Sequence, residues 1–301
     1  MIAAIDIGSN SVRLLVTTPD GTEVERAVTV TGLARGVDAT GRLGETSIRA
    51  TTACLVDFAG RMDRHGVTTA AAVATSASRD AANGAEVMAA ITDVLGFAPT
   101  IIDGEREAGL AFRGAAGGRQ GHATVIDIGG GSTEISTGRD GQPASVASYD
   151  IGSVRITDRH LPDAPPTPVQ VDAARRDAAA HFADVATGDP SAIGDQAARV
   201  LGVAGTFTSL SAMAQGLYAY DRTRVHASVL TADDLARLET RLSALTVDEI
   251  AAIPSLDPAR APVILGGTIV ARSVLAAVGA TAITVSEHDL LDGLAAELRS
   301  A

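Results

Sequence analysis

One short pattern occurs twice in this chain and constrains its fold more than any other feature. Ile5-Asp6-Ile7-Gly8-Ser9-Asn10-Ser11 recurs as Ile126-Asp127-Ile128-Gly129-Gly130-Gly131-Ser132-Thr133. Each copy is an apolar strand ending in an aspartate, then a turn of small residues. The aspartates stand 121 positions apart (127 − 6), and a repeat at that interval reads as a duplicated domain. The 301 residues allow two domains of ordinary size. The boundary is expected in the glycine-rich stretch at Gly117-Gly118, giving domains 1–118 and 119–301, with the last helix able to pack back on the first.

The repeat has a chemical meaning. Small residues let the backbone approach a ligand, and successive N–H groups form an anion-binding nest. An aspartate beside such a nest would repel phosphate unless a divalent cation lay between them, which points to Mg²⁺. Two ordinary hairpins are the bland alternative. A third glycine turn, Val203-Ala204-Gly205-Thr206, between an apolar strand and a helix, weighs against it.

The remaining pattern is α/β. Strands are predicted over 2–7, 12–16, 23–30, 70–75, 134–137 and 282–285. Helices are predicted over 47–65, 78–95, 169–185, 207–215, 232–245 and 262–278, with a final helix capped by Ser286. Pro19-Asp20-Gly21 and Asp140-Gly141 read as hairpin turns. Strands alternating with helices indicate a sheet covered by helices.

Composition removes several functions. Aromatic residues are 3% and Trp is absent, so stacking platforms for nucleic acid are not expected. The net charge is −12, so an anion must be held by local groups rather than by the overall field. All 24 basic residues are Arg, which removes a P-loop lysine, a Schiff-base lysine and a Ser-Lys dyad. The single Cys54 cannot form an internal disulfide. No apolar run reaches membrane-spanning length, and the start lacks signal-peptide character, so a cytoplasmic protein with no membrane partner is expected.

Two further segments carry charged groups beside turns. In Thr75-Ser76-Ala77-Ser78-Arg79-Asp80, Arg79 is expected in the first turn of a helix, where a cation opposes the helix dipole and a nearby anion would compensate. In Asp103-Gly104-Glu105-Arg106-Glu107-Ala108 the acids suit a helix N-terminus, and Glu107 could also orient and deprotonate a water. Other motifs fail on spacing. Glu134 breaks both a dinucleotide fingerprint at Gly129 and a nucleophile elbow at Ser132. The six histidines form no close ligand pair.

Taken together, Ala4–Ser11, Thr75–Asn83, Gly104–Ala108, Val125–Glu134, Ile151–Arg155 and Ala204–Thr208 resemble the exopolyphosphatase/guanosine pentaphosphate phosphohydrolase (Ppx/GppA) family, of the actin–hexokinase–Hsp70 superfamily. The resemblance implies two duplicated actin-like (ribonuclease H-like) domains with an interdomain cleft. It implies Glu107 as the water-activating base. Gly8, Ser9, Asn10 and Ser11 would form the first phosphate loop, and Gly129, Gly130, Gly131, Ser132 and Thr133 the second. Arg79, Gly205 and Thr206 would complete the phosphate contacts. Asp127 and Glu134, with Asp6, would support Mg²⁺, with Mn²⁺ as an alternative and a monovalent cation as an addition.

The chain stops at Ala301, without the helical extension of longer members, which matches the short two-domain type and puts processivity on long polymers in doubt. By analogy a homodimer is expected. The expected reaction is release of terminal orthophosphate from inorganic polyphosphate. The rivals are guanosine pentaphosphate 5′-hydrolysis at the same site, a non-hydrolytic sensor of either anion, and a kinase of the same fold. The complete carboxylate set argues against the sensor, and the Gly-Glu-Arg-Glu-Ala motif against the kinase.

Overall fold

A computed structural model describes residues 1–185 and 200–300. The first sheet contains β1 (Ile2–Ile7), β2 (Ser11–Thr17), β3 (Glu23–Val30), β4 (Thr69–Ala74) and β5 (Thr100–Ile101), in the order β3-β2-β1-β4-β5. The second contains β6 (His122–Ile128), β7 (Thr133–Arg139), β8 (Gln142–Tyr149), β9 (Val200–Val203), β10 (Val229–Thr231) and β11 (Ala282–Val285), in the order β10-β11-β9-β6-β7-β8. In both, three antiparallel strands joined by hairpins are extended by parallel strands on the side of the first, and in the second sheet β10 closes that edge antiparallel to β11. The sequence repeat is therefore a repeat of topology, and the fold is two actin-like halves.

Local chemistry explains these strands. β1 is apolar except for Asp6 and is buried along its whole length, as a central strand covered on both faces must be. Asp140 and Gly141 both have positive φ, 51° and 75°, which a two-residue hairpin between right-twisted strands requires.

The first half carries α1 (Val37–Thr40), α2 (Glu45–Arg64), α3 (Ser76–Asp80) and α4 (Gly84–Leu95). α5 (Gly104–Ala116) leads into the second half. There α6 (Ser153–His160), α7 (Pro168–His181), α8 (Ala204–Ala214), α9 (Arg222–Val225), α10 (Ala232–Leu242), α11 (Val247–Ala251) and α12 (Ile264–Ala277) precede the last helix, α13 (Leu290–Ser300). α5 packs on β6, β7 and β8, whereas α13 packs on β1, β2 and β4. The two helices meet so closely that a Cβ on Gly114 would lie 1.8 Å from the Asp289 carbonyl oxygen, and one on Gly293 2.1 Å from that of Leu110. Leu110, Phe112, Leu290 and Leu294 join Ala4 and Val73 of one sheet to Val125 and Leu201 of the other in a shared core. Among the described residues no helix is long and apolar enough to cross a membrane.

Three helix expectations need correction. The helix predicted over 78–95 is two helices. The Asn83 side chain both accepts from Leu43 N (2.8 Å) and donates to Leu43 O (3.1 Å), and this tertiary clasp breaks the run. Arg79 accordingly lies in the last turn of a short helix rather than the first turn of a long one. The helix predicted from Phe207 begins at Ala204, so the third glycine turn is its first turn. The last helix is not capped by Ser286, whose hydroxyl is engaged with His288. Its start is held by Asp289, which accepts from Leu291 N at 3.0 Å, and by Asp292, which accepts from Asp289 N at 2.9 Å.

Candidate functional site

The two aspartate turns are built alike. Gly8 N donates to Ser11 O at 3.0 Å, and Gly129 N donates to Ser132 O at the same distance. Across the hairpins Asp6 pairs with Arg13 and Asp127 with Glu134, the same offset of seven residues (13 − 6, 134 − 127). The turns meet. A Cβ on Gly130 would lie 3.0 Å from Ser9 Cβ, and one on Gly131 2.6 Å from Ser76 Oγ, so only glycines let the second loop sit this close. Ser9 and Ser76 share a 2.8 Å hydrogen bond beneath it, and Ser9 Oγ also accepts from Ala77 N at 3.1 Å.

Between the turns lies a cavity of about 50 Å³. Its walls include Asp6, Gly8, Ser9, Asn10, Ser11, Glu107, Asp127, Gly129, Gly130, Ser132, Gly205 and Thr206 of the expected site. Four expected residues stand outside this wall. Gly131 packs on Ser76. Thr133 donates to Ile151 O at 2.6 Å, and Glu134 accepts from Ser148 Oγ at 2.7 Å. Arg79 donates to Ile102 O at 3.1 Å and lies 3.5 Å from Asp80. The Thr206 hydroxyl is itself committed to Ile128 O at 3.1 Å.

Burial makes this site electrostatically unusual. Asp6, Glu107, Asp127 and Glu134 are each less than 8% exposed. Desolvation is the chief cause raising the carboxyl of each. Glu107 is pushed well above the ordinary carboxylate range, with Glu134, Asp127 and Asp6 adding repulsion. Asp127 is likewise raised, chiefly by burial and then by Glu134. Glu134 rises to about 7, although Ser148 and Ser132 hydrogen bonds oppose the shift. Asp6 is raised less freely, because Arg13 opposes its burial.

Asp6 Oδ1, Glu107 Oε2 and Glu134 Oε2 are buried without any hydrogen-bond partner. Buried acceptors left unpaired are costly and call for a cation or a donor. These are hard oxygen ligands, which suit Mg²⁺ or Mn²⁺ rather than a soft metal. Among the described residues no three His, Cys, Asp or Glu groups already form a metal cage. A small hard cation of this kind commonly takes only one or two carboxylates and completes its shell from waters and substrate phosphate oxygens.

Several site residues have no counterpart among the sequence expectations. Arg13 donates to Asp6 at 2.8 Å and pairs with Asp289. Burial works against its charge, but Asp289 and Asp6 outweigh burial and keep it cationic. Its signal was available, since cross-strand register puts it opposite Asp6. Arg260 lies over the third glycine turn, where a Cβ on Gly205 would come within 2.1 Å of its guanidinium. Desolvation lowers its proton affinity. Nothing in the local sequence around Arg260 announces this position. Beyond Arg13 and Arg260 the cleft widens to a cavity of about 500 Å³, whose walls include Arg26, Thr208, Tyr220, Arg222 and Glu287.

Comparison with known proteins gives concordant matches. The Ppx/GppA phosphatase family profile matches residues 20–299. Exopolyphosphatase 2 of Mycobacterium tuberculosis is 40% identical over 318 aligned positions, covering 99% of this chain and 98% of its own. A crystal structure described as an exopolyphosphatase-like protein superposes with a TM-score of 0.90 at 33% identity, covering 99% of this chain and 98% of that one. The Aquifex aeolicus Ppx/GppA family member has a TM-score of 0.78 at 29% identity, covering 99% and 97%.

Proposed function

The chain belongs to the Ppx/GppA phosphatase family, and from that footing we propose that it hydrolyses the terminal phosphoanhydride bond of inorganic polyphosphate, releasing orthophosphate. The observation that carries the reading is the closure of two phosphate-type loops on one small cavity beside unpaired buried carboxylates. The name of the 40% identical relative supports the choice of substrate.

In this reading the terminal phosphate occupies the small cavity, and main-chain N–H groups of the turns at Gly8–Ser11 and Gly129–Ser132 receive its oxygens. Arg13 and Arg260 neutralise charge where the chain leaves toward the wider cleft. One or two of Asp127, Glu134 and Asp6 would hold the metal, which when bound supplies compensation for charge on the phosphoryl oxygens. Glu107 holds a water for in-line attack and takes its proton on its carboxylate, which has a buried oxygen without a partner. The water oxygen–phosphorus bond forms as the bridging P–O bond breaks, and the shortened chain leaves as an oxyanion. A carboxyl raised by burial is, once ionised, a stronger base than an exposed glutamate. Arg79 acts at longer range here, since its charge opposes the upward shifts of Glu107 and Glu134. Glu107→Gln should retain binding and lose kcat roughly 10²–10⁴-fold; near-normal turnover would remove Glu107 from the role.

One observation favours guanosine pentaphosphate as a second reading. The adjoining cavity of about 500 Å³, with Tyr220 on its wall, falls within the usual range for small-molecule sites and could take a nucleoside. Orthophosphate release from polyphosphates of several lengths and from guanosine pentaphosphate, measured side by side with Mg²⁺, decides between them. A higher kcat/KM for polyphosphate supports the first reading, and the reverse order replaces it with the second.

A further inference from the structure

The segment Ile151–Arg155 follows β8 and opens α6, and the mechanism above does not use its arginine. α6 starts on the loop itself. Ser153 N donates to Gly129 O at 3.0 Å, while Val154 N and Arg155 N donate to Gly130 O at 2.8 and 3.1 Å. With these carbonyls turned back onto the helix, the position of the loop follows the position of α6.

α6 is in turn fastened to the other half of the molecule. Val154 is buried within the hydrophobic core of the first half. Arg155 donates to Asp80 at 2.5 Å and lies 3.5 Å from Asp38. Arg159, one turn on, donates twice to Asp38, at 2.6 and 3.0 Å. Asp158 accepts from Gly36 N at 2.9 Å. Among these groups Arg155 has the shielded place, with its side chain 15% exposed against 30% for Arg159, so solvent and salt weaken its pairs less. Asp80 also lies 3.5 Å from the guanidinium of Arg79, which makes it a shared anion between the arginines of two separate motifs.

We infer that Arg155 is a positioning residue that seats the second phosphate loop against the first through Asp80 and Asp38. The inference rests on the reading of both loops as phosphate-binding, but not on which polyphosphate is cleaved. The geometry leaves little tolerance, because Gly130 faces Ser9 and Asn10 N at distances where a Cβ would already sit 3.0 and 3.1 Å away. A small sideways movement of α6 would therefore reshape the cavity, and a misplacement of about 1 Å at a reacting centre can cost roughly 100-fold in rate.

The test uses the full chain and two probes: competitive inhibition by orthophosphate, and the thermal unfolding midpoint. Arg155→Met should raise the orthophosphate inhibition constant about tenfold and lower kcat/KM on polyphosphate by up to about 100-fold. Asp80→Asn should move both in the same direction. If Arg155 acts through Asp80, the double variant should lose little more than Arg155→Met alone. Arg155→Lys, which keeps the charge but not the forked geometry, should fall between and keeps the test open should the methionine variant fold poorly. A lowered unfolding midpoint with unchanged orthophosphate inhibition and kcat/KM would overturn the inference, as would fully additive losses in the double variant. If the unaltered protein is not inhibited by orthophosphate, the loop reading itself fails. If it is inhibited but prefers guanosine pentaphosphate, only the substrate assignment changes.

Discussion

Removal of divalent metal should turn the carboxylate cluster into a measurable liability that grows with pH. Glu134 is 1% exposed, and its carboxyl is raised from an ordinary 4.5 to about 7, chiefly by burial. An acid whose folded value is raised binds its proton more tightly folded than unfolded. Its stabilising contribution is therefore complete below the unfolded value and is lost as pH rises through the folded one. For this shift the loss is about 3 kcal/mol, spread between roughly pH 4.5 and 8. Asp127 and Glu107 are raised in the same direction and add to it. Carboxyls held low by partners, such as Asp38 and Asp292, have completed their opposite contribution by about pH 5.

The assay is denaturant unfolding in excess chelator at several pH values, for the native protein and for Glu134→Gln. Stability of the native protein should fall from pH 5 to pH 8. The glutamine variant should fall less, by a difference on the order of 3 kcal/mol. Restoring Mg²⁺ should remove most of that difference, because a bound metal keeps its carboxylate ligands ionised. Metal-free stability that stays level or rises over this interval would refute the reasoning, and so would parallel slopes in the two proteins.

Arg13→Met should cost about 3–5 kcal/mol in unfolding experiments, because it leaves Asp6 and Asp289 buried without their shared cation; a loss below 1 kcal/mol would show that the two acids find other partners. Gly131→Ala should lower kcat/KM by at least about tenfold with little change in far-UV circular dichroism, since the added methyl would sit 2.6 Å from Ser76 Oγ at the contact of the two loops. Ser76→Gly in the same chain removes the obstacle, so failure of the double variant to recover activity would count against the contact.

The features that could be read from the sequence are those set by neighbours along the chain. An apolar run ending in aspartate and small residues makes a buried strand and a tight turn wherever it occurs, so both phosphate-type turns and the duplicated topology were visible. Features set by distant partners were not. Asn83 looks like an ordinary helix residue until Leu43, forty positions earlier, captures both ends of its amide. Arg260 reaches Gly205 across more than fifty positions, from the short 3₁₀ turn Pro258–Arg260, which carries no motif of its own. Arg79 shows the same limit in another form. Its segment was recognisable, but the direction of its side chain depends on Ile102 and Asp80, and in this structure it lies behind the cavity wall.

The duplication also explains why the cleft is asymmetric. Two copies of one hairpin provide two equivalent cross-strand positions, and these carry opposite charges: Arg13 faces Asp6, whereas Glu134 faces Asp127. The first half thus supplies its aspartate with a cation of its own, at 2.7 Å. The second half places two acids side by side, where burial raises both and Glu134 adds to the rise of Asp127. Charge demand in the cleft consequently falls on the side of Asp127 and Glu134. In the proposed reading an external cation would stabilise the protein most on that side, whereas Arg13 already offsets part of the charge of Asp6. A phosphoryl group between the halves would then meet main-chain donors and Arg13 on one flank and a metal-ready carboxylate pair on the other, an arrangement that two identical halves could not provide.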